Sequence, residues 1–264
     1  MKIRIKFAKY GSMKFIGHLD VMRFFQKAIR RADIDIKYSV GFSPHQIMSF
    51  AAPLGVGIES TGEYLDIEIN SITSPHEMKD ALNKVMVEGM EILAITVLPE
   101  DAKNAMASVA AAEYWITCHL DNTVESSLKN ITIDDLKKKL SDFYQSEHIF
   151  VTKTTKKSVK ELDLKPGIYS LDVLSPQDDA AVLSAIHADY IDASFVITML
   201  INASSSGNIK PSMVLDAFCA YAQTSLPPSS YQITRFETYT NLAKEGEKPR
   251  FIPLHWKKTD INLL

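Results

Sequence analysis

Residues 2–9, KIRIKFAK, alternate strictly: Ile3, Ile5 and Phe7 point to one side, Lys2, Arg4 and Lys6 to the other. A period of two is that of a half-buried strand. Directly after it the period changes. In FIGHLDVMRFFQKAIRRADI, residues 15–34, Leu19, Met22, Phe25 and Ile29 recur at helical spacing, flanked by Val21, Phe24 and Ala28. Gly17 is placed to cap this helix, and Asp20 falls in its first turn, where the dipole favours an acid. Gly11 and Ser12 break the chain between the two elements. A strand of one period followed by a helix of the other restricts the chain to folds that lay helices on a sheet.

The alternation of periods continues. IDIKYSV reads as a short strand, GFSPHQ as a loop, IMSFA as a strand and PLGVGIESTG as a Gly-rich connection. EYLDIEIN is a clean strand with Leu65, Ile67 and Ile69 inward. Pro75 opens a helix that reaches roughly Gly89, and EILAITVL is a fourth main strand. The order β-α-β-β-α-β is that of the ferredoxin-like fold, two helices on one face of a four-stranded antiparallel sheet. If the first and third strands are neighbours, outward Lys2, Arg4 and Lys6 face outward Asp66 and Glu68, and cross-strand ion pairs account for both sets.

Pro99 and the Ala-rich NAMASVAAA mark a boundary, placed at residues 103/104. Beyond it come a strand (EYWITCHL), a helix with Thr132 as its cap (TIDDLKKKLSDFY) and three strands (HIFVTKT, IYSLDVL, SFVITMLIN). A helix starting near Pro211 and a closing strand, YQITRFETYT, complete the chain. The expected class is therefore α+β, with two tandem ferredoxin-like domains. Residues 1–103 form the first. Residues 104–264 form the second, which has extra strands and a C-terminal extension.

Composition narrows the function. Of 264 residues, 46% are apolar and 23% charged, as in globular proteins, and no apolar run is long enough to span a membrane. Two distant cysteines, Cys118 and Cys219, read as reduced cytosolic thiols and cannot hold an iron–sulfur cluster. A cytoplasmic protein without a cofactor of its own is expected. The net charge is −3, yet the first forty residues carry ten Lys or Arg against three Asp or Glu. This asymmetry points to a localised anion-binding face.

On the first helix, Arg23, Lys27, Arg30 and Arg31 share one side at i, i+4, i+7 and i+8, a stripe suited to phosphates. The same stripe on a helix back is also what a solvated face looks like. His18 opens that helix, where the dipole favours the neutral imidazole that a general base needs. A second imidazole, His45, sits beside Ser43 in the loop that Gly41 and Pro44 tighten. Two imidazoles converging on one ribose phosphate could divide acid and base work in RNA cleavage. The glycines of PLGVGIES make no phosphate-binding fingerprint, because the third glycine and the following helix are missing. No metal-ligand spacing is present.

Residues 14–69 carry a dense set of motifs: G-H-L-D before the helix, R-R-A at its end, Y-S-x-G-F-x-P-H, then S-F, P-L-G-V and E-Y-L-D. In these the chain closely resembles a bacterial family of unknown function often called radical-SAM-linked. Fainter likeness extends through AAEYWI and TRFETY towards the end. The resemblance implies a radical SAM partner protein, since members are encoded beside or fused to one, often near ribosomal protein genes. More distantly the chain resembles the tandem ferredoxin-like RNA-binding superfamily that includes CRISPR RNA-processing endoribonucleases. Their C-terminal glycine-rich loop is missing here, where NLAKEGEKPRF holds one glycine.

Together these readings predict an RNA-binding accessory protein, not itself an enzyme, that works with a radical SAM partner on ribosomal or transfer RNA. The predicted contacts are Arg23, Lys27, Arg30, Arg31, His18, His45 and Ser43. The alternatives are a metal-independent endoribonuclease using His18 and His45, and a protein–protein adaptor that binds no nucleic acid.

Overall fold

The computed structural model describes residues 1–71, 74–120, 126, 128–154, 159–176 and 193–256. The class is α+β, with strands predominating over helices. The chain divides into two compact units: Met1–Ala111 together with the chain from Arg235 onward, and Ala112–Thr234. The closing segment thus returns to the first unit, whereas the 103/104 division groups it with the second.

In the first unit the elements run β1 (Lys2–Lys9), α1 (His18–Arg31), β2 (Met48–Phe50), β3 (Glu59–Glu68), α2 (Pro75–Asn83), β4 (Met90–Leu98) and a short α3 (Ala105–Ser108). The order β-α-β-β-α-β read from the periodicity is therefore present. β1 lies between β4 and β3, antiparallel to both, and β2 pairs antiparallel with β3. Residues 235–241 of β10 (Tyr231–Asn241) belong to this unit, and β11 (Phe251–Pro253) pairs with them. IDIKYSV makes no strand, only the isolated bridges Ile36–Ile69 and Tyr38–Gln46. α2 stops at Asn83, well short of Gly89.

One face of this sheet is apolar. Ile3, Ile5, Phe7, Leu65, Ile67 and Ile92 pack against Val21, Phe25 and Ile29 of α1 and Met78 and Leu82 of α2. Leu19, expected in that row, is instead exposed. Ser74 caps α2, its hydroxyl accepting from Glu77 N at 3.1 Å.

The opposite face is polar and also buried. Arg4 and Asp66 face each other across β1 and β3 and make a two-point pair at 2.8 and 2.9 Å. Arg4 also donates to the carbonyls of Leu254 (3.0 Å) and Lys103 (3.2 Å), while Asp66 accepts from Ala105 N at 2.7 Å. The expected cross-strand pairing of Arg4 with Asp66 is present. What the sequence does not show is that residues 103–105 and 254–255 lie over it. Lys6 pairs with Glu237 at 2.6 Å, and the Tyr64 hydroxyl bridges Glu237 (2.6 Å) and His255 Nδ1 (2.7 Å).

In the second unit β5 (Ala111–Cys118) lies beside β9 (Phe195–Asn202), which pairs antiparallel with β8 (Ile168–Leu174). On its other side β5 meets β10, whose residues 231–234 belong to this unit. β6 (Phe150–Thr154), read from the sequence as HIFVTKT, pairs with β7 (Val159–Asp163), which the sequence reading did not contain, as a separate two-stranded sheet. α4 (Ile133–Gln145) is capped by Thr132, as expected, and meets α5 (Pro211–Tyr221) through Phe143 and Phe218, with ring centroids 5.6 Å apart.

Candidate nucleic-acid interface

α1 begins without a side-chain cap, because its N-cap is Gly17. The carbonyl of Gly17 accepts from both Asp20 N and Val21 N at 3.1 Å. Burial of Val21, Phe25, Ala28 and Ile29 against the sheet leaves Arg23, Lys27, Arg30 and Arg31 on the exposed side.

The four cations are not equivalent. Arg23 reaches Asp20 Oδ1 at 3.3 Å, an exposed i,i+3 pair. Such pairs contribute little and leave the guanidinium available to a stronger anion. Lys27 makes no hydrogen bond or ion pair among the described residues. Arg30 Nε donates to the carbonyl of Gln26 at 3.3 Å. Arg31 turns aside: it donates to the carbonyl of Val85 at 3.0 Å and lies 6.0 Å from the Phe24 ring. Arg31 thus ties α1 to the chain after α2, and the stripe proper is Arg23, Lys27 and Arg30.

Beside that stripe rises the 38–46 loop. Its stem is closed by the Tyr38–Gln46 bridge and by Ser39 N donating to the His45 carbonyl at 2.8 Å. Ser39 Oγ accepts from His45 N at 3.1 Å and lies 2.9 Å from His45 Nδ1. The Ser43 carbonyl is 3.4 Å from the same ring nitrogen. Gly41 has φ of +134°, a value that disfavours any side chain. The stem is fixed to α1 by Gln46 Nε2, which donates to the Gln26 carbonyl at 3.3 Å. At the tip, Val40 and Phe42 are fully exposed.

His18 and His45 are not brought together. The His18 ring meets Phe50 edge to face, with centroids 5.0 Å apart, at the first turn of α1. His45 belongs to the loop held at Gln26, about 12 Å further along the helix at 1.5 Å per residue. β2 runs back along α1, so the loop that precedes it opens beside the middle of the helix and not beside its start. The geometry therefore supplies no shared anion pocket and no acid–base pair.

His18 lines a recess of its own with Phe7, Lys9, Val21, Phe50, Ala52, Pro53, Leu54 and Glu63. The recess is barely wide enough for one water. Lys9 is there because it continues the row Ile3, Ile5 and Phe7 of β1 by the two-residue period, and that row faces inward. Its Nζ donates to the carbonyls of Ile16 (3.3 Å) and Lys14 (3.5 Å), anchoring the turn that leads into α1. Burial holds the Lys9 ammonium below its ordinary range, Glu63 opposes that shift, and Arg235 adds to it. Arg235 in turn donates to Glu63 at 2.9 Å and to the Ala52 carbonyl at 2.9 Å. Lys9, Glu63 and Arg235 were missed by the sequence reading. The Phe42 tip was missed too, although a large apolar residue between Gly41 and Pro44 was a visible signal.

An α+β protein with a cationic helix face and an apolar loop tip is the class these features define. The chain belongs to a bacterial family described as "Uncharacterized protein conserved in bacteria (DUF2344)", whose model matches residues 2–211. A comparison with proteins of curated function returned no match. No helix among the described residues is long and apolar enough to cross a membrane.

Proposed function

We propose that the protein is an RNA-binding accessory factor whose first unit engages a structured RNA through α1 and the 38–46 loop. The observation that carries this reading is the shared anchoring of the two at the Gln26 carbonyl. It sets a row of exposed cations beside an exposed aromatic. Cations bind phosphates and aromatics bind bases, so their adjacency suits RNA better than it suits a protein surface. The polar face of the first unit's sheet is closed by the chain itself, through Lys103, Ala105 and Leu254, and this leaves the helix side for a ligand.

Both units are ferredoxin-like in this proposal. The orders β4-β1-β3-β2 and β10-β5-β9-β8 each correspond to 4-1-3-2 when the four strands of each set are numbered in chain order, the β6-β7 pair being left aside. A radical SAM protein would be the partner, as the family resemblance implies. The radical chemistry would then belong to the partner, because two buried cysteines cannot ligate a cluster that takes three or four. Separation of His18 from His45 weighs against the nuclease alternative.

Crosslinking in cells tests the proposal, with bound RNA sequenced and co-purifying proteins identified from the same sample. Crosslinks within residues 18–46, in a sample that also holds a radical SAM protein, are expected. Absence of crosslinked RNA would remove the RNA role.

A further inference from the structure

Phe42 is the most exposed large apolar residue of the described chain, and it stands at the tip of a loop whose stem is fixed by at least four hydrogen bonds. A ring held in water forgoes the free energy of burial, and holding it on an ordered loop lowers the entropy cost for a partner that covers it. The charge beside it indicates which partner. Four residue steps join Phe42 to Gln46, so their Cα atoms are at most about 14 Å apart, and the Gln46 side chain reaches the carbonyl that Arg30 also binds. A backbone lying along Arg23, Lys27 and Arg30 would therefore bring its bases within reach of the tip.

Resting on the RNA-binding reading above, we infer that Phe42 stacks on an unpaired base, and that the ligand of this surface is single-stranded RNA or the loop of a folded RNA, not a continuous duplex. In a duplex every base face is already stacked on its neighbours, and an A-form groove offers a phenyl ring no free base. A single strand offers free faces, and stacking on them tolerates any sequence. Val40, at the same tip, has no flat face and would only border the stacked base.

Three variants and two probes test this. Phe42→Leu keeps an apolar side chain without an aromatic face, Phe42→Trp enlarges that face, and Val40→Ser removes the apolar neighbour. Binding is followed by fluorescence anisotropy, using a labelled mixed-sequence single-stranded RNA and a labelled RNA duplex of equal length. The wild type should favour the single strand. Phe42→Leu should lose about 5- to 150-fold on the single strand and leave duplex binding unchanged, the range reported for one base–aromatic stack. Phe42→Trp should retain the affinity, and Val40→Ser should fall far less than Phe42→Leu. A Phe42→Leu protein with wild-type affinity for the single strand overturns the stacking role and leaves the RNA reading standing. So does a variant that keeps its RNA binding but no longer retains a protein partner, because the tip then serves protein docking. A wild type that binds neither probe overturns both.

Discussion

Arg30 and Gln46 share one acceptor: the side chains of both donate to the carbonyl of Gln26, each at 3.3 Å. The first belongs to the cationic face of α1 and the second to the stem of the loop that carries Phe42. One backbone oxygen thus joins the two parts of the proposed surface. Replacing Gln46 by Leu keeps most of its volume and removes its bond to the helix. RNA affinity should then fall although no charge is lost.

Arg4 and Asp66 form a buried ion pair of the first unit. Removing one partner leaves a charge in a site closed to water, which costs about 3–5 kcal/mol. Arg4→Met should lower stability in urea by that amount. The pair Arg4→Met with Asp66→Leu should cost clearly less than the sum of the two singles, because neither charge is then stranded. Simple additivity in denaturant titrations would contradict the assigned pair.

Tyr64 should make the stability of this unit sensitive to alkali. Burial first, and the Glu237 carboxylate beside it second, push its hydroxyl well above the ordinary tyrosine value of 10.0. Below pH 10 the group is protonated in the folded and unfolded chains alike, and its contribution is fully present. As pH rises past 10 the unfolded chain ionises first, so the contribution is progressively lost. Tyr64→Phe should cost about 1–3 kcal/mol at pH 7, and the gap to wild type should shrink above pH 10. A gap that stays constant from pH 7 to 11 would be the contrary result.

Gly62 is a point of close approach. A Cβ there would lie 2.5 Å from Glu237 Cα and 2.8 Å from the Phe236 carbonyl oxygen. Backbone atoms cannot step aside as a side-chain end can. Gly62→Ala should therefore destabilise by about 1–3 kcal/mol or more. An unchanged urea midpoint would show that the two segments are not packed as described.

Much of the fold is legible in the sequence because its signals are local. The alternation of Ile3, Ile5 and Phe7, the helical spacing of Val21, Phe25 and Ile29, and Thr132 before its helix each depend on near neighbours only. What is not legible depends on distant ones. That Lys9, at the end of the inward row of β1, is closed over by β2 and the connection after it depends on segments far from it in the chain. Burial of Arg4 follows from segments a hundred and two hundred and fifty residues away, and alternation alone marks that face as solvent-facing. The stretch from Ile34 to Val40 has strand-like residues, but it finds partners only at isolated bridges. Of the site, the cationic stripe is visible at i, i+4 and i+7. That Arg31 leaves it for the Val85 carbonyl is a tertiary matter, as is the separation of His18 from His45.

The central claim is that Arg23, Lys27 and Arg30 contact phosphates. Its most direct measurement is the salt dependence of single-stranded RNA binding by wild type and by the Arg23→Glu, Lys27→Glu, Arg30→Glu triple variant. Each lost contact should reduce the log–log slope by about 0.7 for a single strand, so the triple variant should bind weakly with a slope smaller by about 2. A slope identical to that of the wild type would mean that the stripe is only a solvated helix back, and would contradict the account.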